Sequence, residues 1–128
     1  DGDRVERGTA LVAAGGVHLR LKRDASGYFV RCAGNDRVNG HCPSVGVLFD
    51  SVAETAGAEA VGVILTGMGR DGAEGLLHMR RVGAYTIGQD QGTSVVYGMP
   101  MAACELGALS VQAPLSQIAD LILQKVKG

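Results

Sequence analysis

The stretch that most constrains the fold is "VGVILTGMGRDGAEGLLHMRRVG", beginning at Val61. Its mostly apolar opening, through Leu65, is too short for a helix of its own and reads as a strand buried on both faces. Gly67-Met68-Gly69-Arg70-Asp71-Gly72 breaks that run with a glycine-rich turn. Residues 73–82 follow as a helix, with Leu76, Leu77 and Met79 facing the core and Gly83 as the stop. A buried strand that turns straight into a helix needs a parallel neighbour and a helical cover, which is the logic of a βαβ unit.

The rest of the chain fits that frame. "HLRLK", from His18, alternates apolar and charged residues, and "YFVRC", from Tyr28, returns after Asp24-Ala25-Ser26-Gly27, so the two predict an antiparallel hairpin. Residues 9–13 are a further strand candidate. Ser44 reads as an N-cap, after which Val45, Leu48, Phe49, Val52, Ala53 and Ala56 recur at helical spacing until Gly57. Residues 84–87 form the next expected strand, and the loop 88–98 leads to a helix that carries Pro100 in its first turn and ends near Gly107. A strand at 109–111 and a helix at 114–127, with Ile118, Leu121, Ile122 and Val126 inward, close the chain. The expected fold is α/β in a single domain over residues 1–128. It is a Rossmann-like, mainly parallel sheet with helices on both faces, preceded by the antiparallel hairpin.

Composition removes several classes of function. The formal net charge is -1 and the basic residues are scattered, with Arg80-Arg81 read as a solvated helix face, so there is no footprint for nucleic acid or an anionic membrane. Cys32, Cys42 and Cys104 are odd in number and lack a C-x-x-C, which argues against a disulfide framework or zinc site and for a reducing compartment. No apolar run approaches the ~20 residues needed to cross a bilayer, and neither membrane insertion nor a signal peptide is expected.

Ligands of open α/β sheets bind beyond the carboxyl ends of the strands. Three segments qualify: residues 66–72, residues 88–98 and the turn before Ser44. The first matches G-x-G-x-x-G after a strand, and Asp90 lies near the end of the next strand, as a dinucleotide site requires. Against that reading, less than half the chain follows Gly72, and Met68 and Arg70 are bulky where a pyrophosphate needs close backbone approach. The same loop can instead present Asp71, whose plainest role is to cap its own helix.

Three motifs bear on that choice. Asp71 lies in T-G-M-G-R-D-G-A, which runs on through G-A-Y-T and V-V-Y-G-M-P, while "HCPSVGVLFDSVA" from His41 and "VAAGGVHLRL" from Val12 precede it. In this order they resemble the catalytic domain of the chemotaxis protein-glutamate methylesterases (CheB). That family carries T-G-M-G-x-D-G-A, G-A-x-T, V-V-[FY]-G-M-P, H-R-P-S-V-D-V-L-F-x-S-V and A-P-G-x-x-H.

The resemblance implies a hydrolase that cleaves methyl esters of receptor glutamates, and deamidates receptor glutamines, through a Ser–His–Asp triad. It implies that Asp71 is the triad acid, fixing the imidazole tautomer and stabilising the imidazolium. Met68 corresponds to the residue whose backbone N–H lies near the oxyanion. Thr66, Gly67, Gly69, Gly72, Gly98, Met99, Pro100 and His41 would line the substrate cleft, with residues 95–100 along one wall. The implied partners are methylated cytoplasmic helices of chemoreceptors and a receiver domain of the same protein; no cofactor or metal is implied, and the setting is cytoplasmic.

The family's Ser lies in an S-x-G-G turn and its His follows the next strand. Neither element occurs here, since Gly15-Gly16 follows Ala13-Ala14. The chain is therefore expected to be part of a catalytic domain, without the receiver domain or the first catalytic strands, and inactive alone. Ser94, His18, His41 and His78 offer no evident replacement triad. An edge strand left exposed would favour self-association. Cys42 stands where the family has Arg, with a thiol expected to be buried and inert, and Gly46 stands where it has Asp. The alternatives are a truncated, non-catalytic receptor- or partner-binding relative, and a nucleotide-binding domain using residues 67–72.

Overall fold

The structure, a computed structural model, describes residues 1–127. Its centre is a parallel sheet of β3 (Val61–Ile64), β4 (Tyr85–Gln89) and β5 (Val111–Ala113), in the order β3-β4-β5. Val61 pairs with Tyr85 and Ile64 with Gly88, while Ile87 pairs with Val111. Alternation along the strands divides the core in two. On one face Ile64 packs with Leu76, Met79, Ala102 and Ala103, from α2 (Ala73–Arg81) and α3 (Met99–Glu105), and with Ala53 of α1 (Val45–Thr55). On the other, Ile87 and Ala113 pack with Ile118 of α4 (Leu115–Lys127), with Val61, Val63 and Tyr85 partly buried around them. The sheet is thus covered on both faces, as expected, and β3 lies at its edge among the described residues.

Glycines set how closely the layers approach. A Cβ on Gly62 would come within 2.6 Å of Leu76 Cδ1, and one on Gly75 within 2.8 Å of Phe49 Cβ and 3.0 Å of the Gly46 carbonyl oxygen. α2 therefore presses its backbone against the first turns of α1. It ends where expected, at Gly83 with φ +100, whose N–H bonds back to Arg80 O.

The hairpin consists of β1 (Leu19–Asp24) and β2 (Gly27–Cys32), with Asp24 paired to Gly27 across the turn. It docks on α1: Leu21 N donates to Ser51 Oγ at 2.8 Å, and Thr55 Oγ1 donates to Leu21 O at 3.2 Å. α1 is therefore covered on two sides, by α2 and by the hairpin: Gly46, Val47 and Ser51 are buried, while of the apolar stripe expected only Ala53 is buried and Val45, Leu48, Phe49, Val52 and Ala56 are half-buried.

Three expectations are corrected. Residues 9–13 form no strand; Val12 is 92% exposed, and it is residues 2–5 that run along β2, with Gly2 N donating to Val30 O and Val5 N to Tyr28 O. The last strand is Val111–Ala113 rather than 109–111, because Leu109 is a plug that packs where a Gly88 side chain would stand. Val126 is 63% exposed, one turn beyond the reach of the sheet. Among the described residues no helix is long and apolar enough to cross a membrane.

Candidate active site

Two loops meet at the carboxyl end of the sheet. Thr66 Oγ1 donates to Val96 O at 3.1 Å and accepts from Val96 N at 2.9 Å. Gly67 N donates to Val96 O, and Gly67 O accepts from both Gly98 N and Met99 N. A Cβ on Gly98 would lie 2.7 Å from Gly67 O and 3.0 Å from Gly69 N, so only glycine lets the loops close this far. Pro100 is buried beneath them and Met99 is half-buried. The structure therefore brings Thr66, Gly67, Gly69, Gly98, Met99 and Pro100 together where the two loops meet.

Gln89 was not singled out by the sequence reading. It is 1% exposed, its Oε1 accepts from Thr66 N at 2.8 Å, and its Nε2 donates to Thr93 O at 2.9 Å, so one side chain ties both loops to the end of β4. A polar residue closing a buried strand was the available signal. Asp90, next to it, accepts from Thr93 N and Oγ1 and so closes the turn of its own loop.

The glycine loop leaves Met68 outward. Its side chain is 79% exposed, and its N–H donates to no group among the described residues. The neighbouring Gly67 N–H is already committed to Val96, and the loop backbone packs against Gly98 at Gly67 and Gly69. The first amide of the turn is therefore not free for a phosphate, as the dinucleotide reading would need.

Asp71 does not cap its own helix. Gly72 is the N-cap of α2, in the left-handed region at φ 90. The Asp71 side chain, 4% exposed, instead reaches the N-terminus of α1. Oδ1 accepts from Ser44 Oγ at 2.7 Å, Gly46 N at 3.2 Å and Asn39 Nδ2 at 3.3 Å, while Oδ2 accepts from Val45 N at 2.7 Å. It is the anion that a helix N-terminus favours, supplied by the loop that precedes α2. Burial pushes its carboxyl up, but the bonds from Ser44, Val45, Asn39 and Gly46 outweigh this and hold it below the ordinary carboxylate value. A carboxylate has about four acceptor positions. Oδ1 is fully used, whereas Oδ2 takes one bond among the described residues and has capacity for one more donor.

The remaining candidates fall elsewhere. Gly72 packs against Val45 and Phe49 of α1, where a Cβ would come within 2.9 Å of Val45 Cγ1, so it seats α2 rather than lining the cleft. His41 is exposed and pairs through its backbone with Val38, with no hydrogen bond to Asp71 among the described residues. His78 is exposed and bonds Asp50 at 2.6 Å. Ser94 Oγ donates to Asp90 O at 2.7 Å, within its own turn. Ser44 is the N-cap of α1, as expected, but its shorter bond is to Asp71. Cys42 is half-buried rather than buried, and precedes a cis Pro43. Gly46 lies where a Cβ would be 3.3 Å from Asp71 Oδ1.

The chain matches known proteins in sequence and in fold. The sequence profile of the family described as CheB methylesterase matches residues 1–122. The chain is 56% identical over 124 residues to protein-glutamate methylesterase/protein-glutamine glutaminase 2 of Syntrophomonas wolfei, covering 97% of this chain and 36% of that protein. It is 58% identical over 125 residues to the corresponding protein 1 of Rhizobium johnstonii, with 97% and 36% covered. The crystal structure of the Thermotoga maritima CheB methylesterase catalytic domain superposes with a TM-score of 0.95 at 33% identity, over 98% of this chain and 67% of that one. The chain thus spans about a third of the length of these curated relatives. By its profile match, its relatives and its fold, the chain belongs to the CheB methylesterase family.

Proposed function

We propose that this chain forms the acid-bearing part of a protein-glutamate methylesterase/glutaminase active site, within a larger polypeptide that supplies the nucleophilic Ser and the His. Asp71 is the triad acid. The observation that carries this reading is the state of its carboxylate: buried, ionised, and held at the N-terminus of α1 through a saturated Oδ1, with capacity for one further donor on Oδ2. A carboxylate so fixed can hold one ring N–H of an imidazole, leaving the other ring nitrogen to take the Ser proton as the hydroxyl attacks the ester carbonyl. The positive charge that forms on the ring is then stabilised by an oxygen that does not itself become protonated.

Met68 supports the electrophilic side. Its N–H is unspent and sits on a loop braced by Thr66, Gln89 and Gly98, so it can meet a developing oxyanion with little reorganisation. The substrate is a methylated glutamate, or a glutamine, on a cytoplasmic receptor helix lying across residues 66–72 and 88–98. The domain boundary is that of a partial catalytic domain, with a receiver domain as a further partner in the same protein.

The test is Asp71→Ala in the full-length polypeptide, assayed for methanol release from methylated receptor. A fall on the order of 10³- to 10⁴-fold in kcat with the fold retained is expected for loss of a triad acid. Near-normal turnover would show Asp71 to be only an anchor for α1.

A further inference from the structure

Of the three histidines, only His18 is buried, at 2% exposure, and the proposed triad does not use it. Both of its ring nitrogens are engaged. Nε2 bonds the carbonyl oxygen of Asp36, which can only accept, so Nε2 carries the proton. Nδ1 is then an acceptor, and it takes the N–H of Ser44 at 3.1 Å.

Ser44 is held in turn on its other side. Its hydroxyl accepts from Val47 N at 3.4 Å, a long bond for an N-cap, and donates to Asp71 Oδ1 at 2.7 Å. A residue needed only to cap α1 would favour the first bond. Here the hydroxyl is drawn toward the carboxylate, and a bond to a charged acceptor is the stronger of the two. His18, Ser44 and Asp71 therefore form a continuous chain from the base of the hairpin to the site. Each link removes one freedom: His18 fixes the Ser44 backbone, and Ser44 supplies the shortest of the three bonds that hold Asp71 Oδ1 in place.

We propose that Ser44 and His18 are positioning residues for the triad acid, orienting the carboxylate so that Oδ2 is the oxygen that receives the imidazole N–H. This rests on the reading of Asp71 as that acid, and the experiment separates the two claims. In the full-length polypeptide, Ser44→Gly removes the hydroxyl while keeping a residue that costs only a few tenths of a kcal/mol as an N-cap. It is expected to lower kcat roughly tenfold, the worth of one bond to a charged group, with KM within about twofold. The Asp71 carboxyl, followed by ¹³C NMR, should titrate at a higher pH in this variant, because a donor to its charged form is gone. Ser44→Thr keeps the hydroxyl and should restore both kcat and the titration. His18→Leu leaves the Ser44 N–H without its acceptor and should move both readouts in the same direction as Ser44→Gly.

If Asp71→Asn abolishes turnover while Ser44→Gly keeps kcat within about twofold and leaves the carboxyl titration unmoved, the positioning role is overturned and the triad assignment stands. If Asp71→Asn turns over normally, the triad assignment itself falls. Should Ser44→Gly not fold, Ser44→Thr and His18→Leu decide the matter: wild-type kcat and titration in His18→Leu would overturn the proposal, and a raised titration with reduced kcat, reversed in neither by added salt, would support it.

Discussion

Replacing Asp71 by Asn keeps the shape of the side chain and removes its charge, so the cost can be followed bond by bond. The new NH2 group must occupy one of two oxygen positions. At Oδ1 it would oppose three donors, from Ser44, Gly46 and Asn39; at Oδ2 it opposes one, the Val45 N–H at 2.7 Å. The second arrangement wins. It forfeits one charge-assisted bond, about 1.5–3 kcal/mol, and leaves a poorly solvated Val45 N–H facing another donor, about 1–3 kcal/mol. Relief from burying a charge offsets part of this, leaving a net loss of about 2–4 kcal/mol in a fold whose whole stability is of order 5–15 kcal/mol. The assay is urea denaturation of wild type and variant at several pH values. Because the folded Asp71 carboxyl lies below its ordinary 3.8, its stabilisation is present above that pH and is lost as pH falls through the folded value. The difference between wild type and Asn should therefore be full near neutrality and shrink on acidification below about pH 4. A difference under about 0.5 kcal/mol at pH 7 would refute the bonding scheme, as would one that does not change with pH.

Two further outcomes follow from the packing and the surface. Gly75→Ala should gain up to about 1 kcal/mol in helix propensity but lose about 1–3 kcal/mol to overlap, because the new Cβ meets Phe49 Cβ at 2.8 Å and the immobile Gly46 carbonyl at 3.0 Å. A fall in thermal midpoint is expected, and a rise would mean that α1 and α2 can separate freely. The Asp24 carboxyl is held down to about 2, chiefly by its hydrogen bond from Arg4, so the part of stability it carries should disappear between pH 3.8 and about 2. Arg4→Ala should flatten that stretch of the Tm–pH curve, and an unchanged curve would contradict the linkage.

The parts of this fold that were legible in the sequence are those punctuated locally. The run at Val61, the glycine turn and the stop at Gly83 mark β3 and α2 because strand burial and helix termination are decided within a few residues. Residues 9–13 misled because a short apolar run makes a strand only when another strand pairs with it. The segment that does lie along β2 carries a single apolar side chain, Val5, and is held by Arg4 over the Phe29 ring at 5.3 Å and across to Asp24 at 2.7 Å. Leu109 misled in the opposite way, as an apolar residue used to plug a loop. For the site, local spacing pointed to Asp71 as a cap, which is its plainest role from position alone. Its actual partners lie on a helix that starts more than twenty residues earlier, and no periodicity encodes a contact at that separation. The loop became a candidate for chemistry through its place at the carboxyl end of a strand and through the order of three motifs, read as a resemblance. Gln89 was missed because the eye goes to the charged Asp90 beside it, although an uncharged amide, with a donor and an acceptor together, is what bridging two loops requires.

The most direct measurement of the central claim is a crystal structure of the complete catalytic domain containing this chain, read for one distance. The account predicts that Asp71 Oδ2, and not Oδ1, lies roughly 2.6–3.2 Å from a ring nitrogen of a histidine supplied by the remainder of the polypeptide. An Oδ2 with no imidazole within roughly that reach, its second position filled instead by a backbone amide, would contradict it.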